Sequence, residues 1–175
     1  MVIGERMKRK PLIAVVGHGL HANENHIKAA ERVGKEIAKK DGIVICGGRP
    51  YGIMDAVARS VKKEGGITVG ILPETDHSKT SKYVDIPILT GMGFARNQIL
   101  AFSCDAMIVI GGGVGALTEV AYAYVYSKPI IVISGMEGLP AKFIGKYMNE
   151  KKKVKIIGAK NAKEAVELAF KLIEK

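Results

Sequence analysis

Asp105-Ala106-Met107-Ile108-Val109-Ile110-Gly111-Gly112-Gly113-Val114-Gly115-Ala116-Leu117-Thr118-Glu119 is the stretch that decides the fold. Ala106 to Ile110 is an unbroken apolar run rich in β-branched residues, the pattern of a strand buried on both faces. It breaks into three consecutive glycines and a fourth at Gly115, after which the pattern becomes helical. Without a Cβ, glycine admits positive φ and lets a ligand approach the backbone N–H groups closely. Those groups then stand at a helix N-terminus, where unpaired donors and the helix dipole favour an anion. Glu119 lies just inside that helix. A tight strand-to-helix turn with a dipole-favoured glutamate is the plainer alternative. Triple glycine is more than such a turn needs, which favours a phosphate-binding turn with an acid beside it.

Outward from this segment the chain alternates. Strands are expected at Leu12–Gly17, Ile43–Cys46, Ile67–Leu72, Val84–Leu89, Ile130–Ile133 and Val154–Ile157. Helices are expected at about Asn23–Lys40, Gly52–Glu64, up to Ser103, up to Tyr126, Leu139–Asn149 and Ala162–Glu174. The first of these carries Ile27, Ala30, Val33, Ile37 and Ala38 close to a 3.6-residue period. Pro73–Lys82 is polar, has no apolar period and is expected to be a mobile surface loop. With Ala106–Ile110 this makes seven strands. Alternation with helices predicts an α/β, three-layer, doubly wound Rossmann-like parallel sheet, a single domain over residues 1–175. The expected strand order is 3-2-1-4-5-6-7, with winding reversing between the first and fourth strands. Ligands in such sheets bind outside the carboxyl ends of the strands at the reversal. Gly17/Gly19, Gly47/Gly48, Gly91/Gly93 and Gly111–Gly113 all fall at those ends.

Composition narrows the possible classes. The 175 residues carry a formal charge of +10, with basic runs at Met1–Lys10 and Lys151-Lys152-Lys153. That surplus fits a phosphorylated ligand, nucleic acid or a solvated surface. The chain has no Trp and few other aromatics, so it lacks the platforms of a single-strand nucleic-acid groove. Apolar runs fall short of the roughly 20 residues that span a membrane, and Leu12–Val16 is too short for a signal-peptide core. A cytoplasmic location is the default. Cys46 and Cys104 lie in apolar surroundings without metal-ligand spacing and are expected to be buried free thiols. His21 and His26 are expected on the exposed side of the first helix. No carboxylate or cysteine completes a metal site with them, so no metal is expected.

The glycine turns are not those of common cofactor folds. The first turn reads Gly17-His18-Gly19-Leu20-His21-Ala22, without the Gly-x-Gly-x-x-Gly of dinucleotide sites, and the second strand ends in Cys46-Gly47 rather than an acid. A P-loop is absent as well.

Three segments together resemble a known family. Gly111-Gly112-Gly113-Val114-Gly115-Ala116-Leu117-Thr118-Glu119 is similar to the Pro-Gly-Gly-x-Gly-Thr-x-x-Glu signature of the LOG ("lonely guy") proteins, once called lysine decarboxylases. Gly91-Met92-Gly93-Phe94-Ala95-Arg96-Asn97 falls where that family carries its arginine. Gly47-Gly48-Arg49-Pro50-Tyr51-Gly52-Ile53-Met54 resembles its Gly-Gly-Gly-x-x-Gly-Leu-Met turn. The proportions, and Gly111 in place of proline, are closer to the branch that includes molybdenum-cofactor carrier proteins. DNA-processing proteins share the core more distantly.

The resemblance implies a Rossmann-like homo-oligomer, a dimer or higher, that binds nucleoside 5′-monophosphates. In LOG enzymes it implies hydrolysis of the N-glycosidic bond, with Arg96 and Glu119 as the catalytic pair. Ribosyl–base cleavage builds positive charge on the sugar, which a carboxylate stabilises. An arginine beside it offsets the repulsion between that carboxylate and a phosphate. Phosphate or nucleotide binding is expected at Gly17, His18, Gly19, Gly47, Gly48, Arg49, Gly93, Asn97, Gly111, Gly112, Gly113, Val114, Gly115 and Ala116.

Two departures matter. Ala116 stands where the signature has threonine, and Gly17-His18-Gly19 replaces a serine-bearing turn. A phosphoribohydrolase therefore remains open against a non-catalytic carrier or sensor of a nucleotide or the molybdenum cofactor. No bound cofactor is required in either case. A DNA-processing-like nucleic-acid binder is the third option, disfavoured by the scarcity of aromatics. Tyr122, Tyr124 and Tyr126 are expected in the core or a subunit interface rather than the pocket.

Overall fold

A computed structural model describes residues 9–174; most of the basic N-terminal run expected over Met1–Lys10 lies outside them. In chain order the elements are β1 (Leu12–Gly17), α1 (Glu24–Lys39), β2 (Ile43–Cys46), α2 (Gly52–Lys63), β3 (Thr68–Leu72) and β4 (Ile86–Leu89). There follow α3 (Arg96–Ser103), β5 (Ala106–Ile110), α4 (Val114–Val125), β6 (Ile130–Ile133), β7 (Ile157–Ala159) and α5 (Ala162–Ile173). Short 3-10 turns occupy Gly93–Ala95 and Pro140–Phe143.

The sheet is parallel throughout and seven-stranded, so the expected fold class is found. Its order is β4-β3-β2-β1-β5-β6-β7, which corrects the expected 3-2-1-4-5-6-7. All five residues of β5 are buried, and such a strand belongs in the centre, where it pairs with β1 and β6. In β4, by contrast, Ile86 and Ile88 are 50% and 44% exposed, and Pro87 has no N–H to give a second neighbour. A proline-bearing, half-exposed strand is suited to an edge.

One apolar layer lies under α1, α2 and α5, with Ile13, Val15, Val33, Val57, Ile108 and Val166 among its members. The other lies under α3 and α4, with Val16, Leu100, Met107, Val109, Val120 and Tyr124. Alternate residues of β1 and β5 therefore point into opposite layers, as the two-residue strand period requires.

Local chemistry sets the helix ends. Asn23 caps α1 by accepting from His26 N–H, and the His26 ring accepts from Asn23 N–H in return. Such a cap contributes on the order of 1 kcal/mol. The helix expected over Leu139–Asn149 shrinks to the turn Pro140–Phe143, because Gly145 takes φ +77 and its N–H goes to Ile156 O. Ile156 in turn donates to Lys146 O, so β7 begins only at Ile157 rather than Val154. The segment Pro73–Lys82 is irregular, as expected, yet fastened. Ser81 N–H donates to Gly48 O at 2.8 Å and its hydroxyl to Asp55 Oδ1 at 2.7 Å.

Candidate functional site

Winding reverses between β1 and β5, and a cavity of about 270 Å³ opens at their carboxyl ends. Val15, Val16, Gly17 and Gly19 line it from β1, and Gly115, Ala116 and Glu119 from α4. Gly47, Arg49, Tyr51 and Met54 come from the β2–α2 side, and Phe94, Arg96 and Asn97 from the start of α3.

Arg96 and Glu119 do meet, but not by the expected route. The strands before them are not neighbours, as the expected order would have made them: β4 is at the sheet edge, with three strands between it and β5. Instead α3 crosses back over the sheet and packs on α4. Asn97 locks that contact by donating to Thr118 Oγ1 at 2.8 Å, while the Thr118 hydroxyl donates to Gly115 O at 2.7 Å. Arg96 Nη1 then lies 3.3 Å from Glu119 Oε1. The pair is almost out of water, and Arg96 Nη1 has no hydrogen-bond partner despite the ion pair. Asn97, 1% exposed, has its Oδ1 unpartnered too. An unpaired buried polar group costs about 1–3 kcal/mol, so two of them around one cavity mark a place prepared for polar company.

Glu119 is 7% exposed, and burial pushes its carboxyl up to about 7, against the opposing pull of the Arg96 guanidinium. A carboxyl poised there can be charged or protonated near neutral pH, as acid–base chemistry or stabilisation of a sugar cation requires.

Glycines serve this arrangement by close approach. A Cβ on Gly47 would lie 2.8 Å from Arg96 Nη2 and 2.5 Å from Met54 Sδ, so its absence lets the guanidinium rest on the turn. A Cβ on Gly17 would strike Ile110 O at 2.1 Å, so here glycine serves strand pairing as well as the cavity wall. At the start of α4, Gly113 caps without a side-chain hydrogen bond and has open space where a Cβ would be. The first-turn amides of that helix have no acceptor within it and face a ligand readily.

Nine of the sixteen residues expected at the site line the cavity: Gly17, Gly19, Gly47, Arg49, Arg96, Asn97, Gly115, Ala116 and Glu119. The others stand nearby in different roles. His18 makes a hydrogen bond through Nε2 to Glu137 O at 3.2 Å and its ring packs on His26, centroids 4.8 Å apart. His26 is thus buried, contrary to expectation, whereas His21 reaches the cavity wall. Gly111 and Gly112 receive the β6 loop, with Gly112 bridged to Gly138. Gly48 packs on Gly70 and Leu72; Gly93 and Val114 lie outside the lining.

Leu20, Tyr51, Met54 and Phe94 line the cavity without having been expected there. Tyr51 and Met54 fall inside one of the three motif segments and Phe94 inside another, and aromatic residues in such turns were the available signal. Arg49 donates through Nε to Glu74 Oε1 at 2.8 Å and through Nη1 to the Tyr51 hydroxyl at 2.9 Å, which holds it at the mouth. Cys46 and Cys104 are buried free thiols pushed up to about 11 and about 12 by burial, hence unreactive, and Tyr124 is core, donating to Asn149 Oδ1.

A sequence profile of the SLOG cluster4 family matches residues 10–166. The chain belongs to that family. Among relatives in sequence, a protein of Archaeoglobus fulgidus is 41% identical over 130 residues, 71% of this chain and 84% of its own. The cytokinin riboside 5′-monophosphate phosphoribohydrolase of Mycobacterium tuberculosis is 32% identical over 120 residues, 61% of this chain and 62% of the enzyme. Among solved structures, the molybdenum cofactor binding protein of Rippkaea orientalis superposes with a TM-score of 0.86 at 34% identity, over 94% of this chain and 98% of that one. The molybdenum cofactor carrier protein of Chlamydomonas reinhardtii gives 0.84 at 34% identity, over 95% of this chain and 100% of that one. The resemblance to LOG proteins and to the carrier branch is therefore borne out. Membership in SLOG cluster4 also fits the retained order of the three motifs along the chain.

Proposed function

We propose that this SLOG cluster4 protein binds a phosphate-bearing nucleotide or nucleotide-derived cofactor, the molybdenum cofactor included, in the cavity at the β1/β5 reversal. The observation that carries this reading is the buried, incompletely satisfied Arg96–Glu119 pair beside the open first turn of α4. A phosphate over Gly112–Gly115 would take the helix amides, and Arg96 would supply the charge that lets it sit near Glu119. Near-complete, full-length likeness to molybdenum cofactor carriers favours carriage or sensing over turnover.

Phosphoribohydrolase activity is the second reading. It is favoured by the joint retention of Arg96 and of Glu119 with its raised carboxyl, and by the likeness to the mycobacterial enzyme. Against it, Ala116 removes a hydroxyl from the phosphate turn. In either case the reading is of a homo-oligomer that takes a small-molecule nucleotide ligand in preference to nucleic acid or a membrane.

The deciding experiment incubates the protein with purine and pyrimidine nucleoside 5′-monophosphates and reads free base by chromatography. Release that Glu119→Gln abolishes would establish the hydrolase. Ligand-induced thermal stabilisation without release would establish carriage or sensing. Neither release nor stabilisation by any nucleotide or phosphorylated pterin would refute the binding reading altogether.

A further inference from the structure

Phe94 is 81% exposed, the most exposed large apolar residue among those described. It sits on the 3-10 turn Gly93–Ala95, two residues before Arg96, and lines the cavity. Its Cε1 lies 3.8 Å from where a Cβ on Gly115 would be, so the ring rests against the first turn of α4. Its remaining surface is bare. Tyr51 is the N-cap residue of α2, its ring over Gly19 with Cε2 3.4 Å from the position of an added Cβ. Its hydroxyl is held by Arg49. The cavity thus has a polar end at Arg96, Asn97 and the α4 amides, and aromatic rings reaching it from the start of α2 and the turn before α3.

We propose that Phe94 is the platform on which the flat ring system of the bound molecule stacks, as Arg96 and the first turn of α4 hold its phosphate. This rests on the nucleotide or cofactor reading above and adds to it a residue that positions the heterocycle. Only Ala95 separates the platform from the arginine, so one short turn, 93–96, addresses both ends of the ligand. Stacking uses the π-face common to every purine and pterin, so Phe94 favours ring-bearing ligands as a class. Leu20, also exposed and at the mouth, adds apolar surface to the same end.

The test compares adenosine and guanosine 5′-monophosphates and a phosphorylated pterin with ribose 5-phosphate, which keeps the phosphate and lacks the ring. Phe94→Ala is expected to weaken the ring-bearing ligands about tenfold or more and to leave ribose 5-phosphate unchanged. Phe94→Trp is expected to restore binding. Because the chain has no other tryptophan, its fluorescence should be quenched by the ring-bearing ligands alone. Unchanged affinity of the ring-bearing ligands in Phe94→Ala, with wild type binding them, would overturn the platform and spare the site. Equal loss of ribose 5-phosphate, or a shift to a smaller species on sizing, would make Phe94 a structural or subunit-interface residue and overturn it as well. Failure of wild type to bind any of these molecules would instead overturn the site reading itself.

Discussion

Glu119 is a carboxyl held almost out of water beside the Arg96 guanidinium. In the unfolded chain its carboxyl titrates near 4.5, and in the fold burial raises it to about 7. Between those values the folded state binds the more protons, so stability falls as pH rises. The carboxyl's contribution relative to a neutral amide is full below pH 4.5 and lost once pH has passed 7. That amounts to roughly 3 kcal/mol across the window. Glu119→Gln loses the Arg96 partner much as a protonated Glu119 does, so this offset is similar at low pH. Melting curves of the two proteins should therefore lie close at pH 4.5, with the variant gaining steadily up to pH 8. A difference independent of pH would show that Arg96 keeps Glu119 ionised throughout.

At the scale of elements, the glycine turns divide into those that make the site and those that make the fold. Gly47 faces movable side-chain ends, Met54 Sδ and the Arg96 guanidinium. Gly47→Ala should displace Arg96 and weaken nucleotide binding severalfold, with a melting temperature only slightly lowered. Gly52 has φ +62, and a Cβ there would meet Gly19 O at 2.2 Å, a backbone atom that cannot yield. Gly52→Ala should cost several times more in thermal stability. Equal melting points for the two variants would contradict this division. The glycine clusters were legible in the sequence because few other residues tolerate such turns. Which of them touch the cavity was not, since His18, Gly111 and Gly112 are used in fixing the Glu137–Gly138 loop, a partner far along the chain. The helix at Leu139–Asn149 failed for a similar reason, a positive-φ Gly145 recruited by distant Ile156.

For the whole molecule, alternating strand and helix patterns were sufficient for the parallel, doubly wound sheet. The order within it was harder to read, because β3 and β4 are joined by an irregular segment rather than a helix. Pro87 was the clue that β4 belongs at the edge. That correction leaves the site in place, since α3 crosses back from the edge strand β4 to α4 on the same face and delivers Arg96 to Glu119. The fold thus gathers β1, the β2 turn, α3 and α4 around one point where winding reverses, the position such sheets use for ligands. Calorimetric titration of wild type and Arg96→Ala with adenosine 5′-monophosphate and a phosphorylated pterin tests this most directly. Saturable binding of at least one of them to wild type, weakened tenfold or more in Arg96→Ala, is the expected result. Absence of heat with every ligand, or equal affinity in the two proteins, would contradict it.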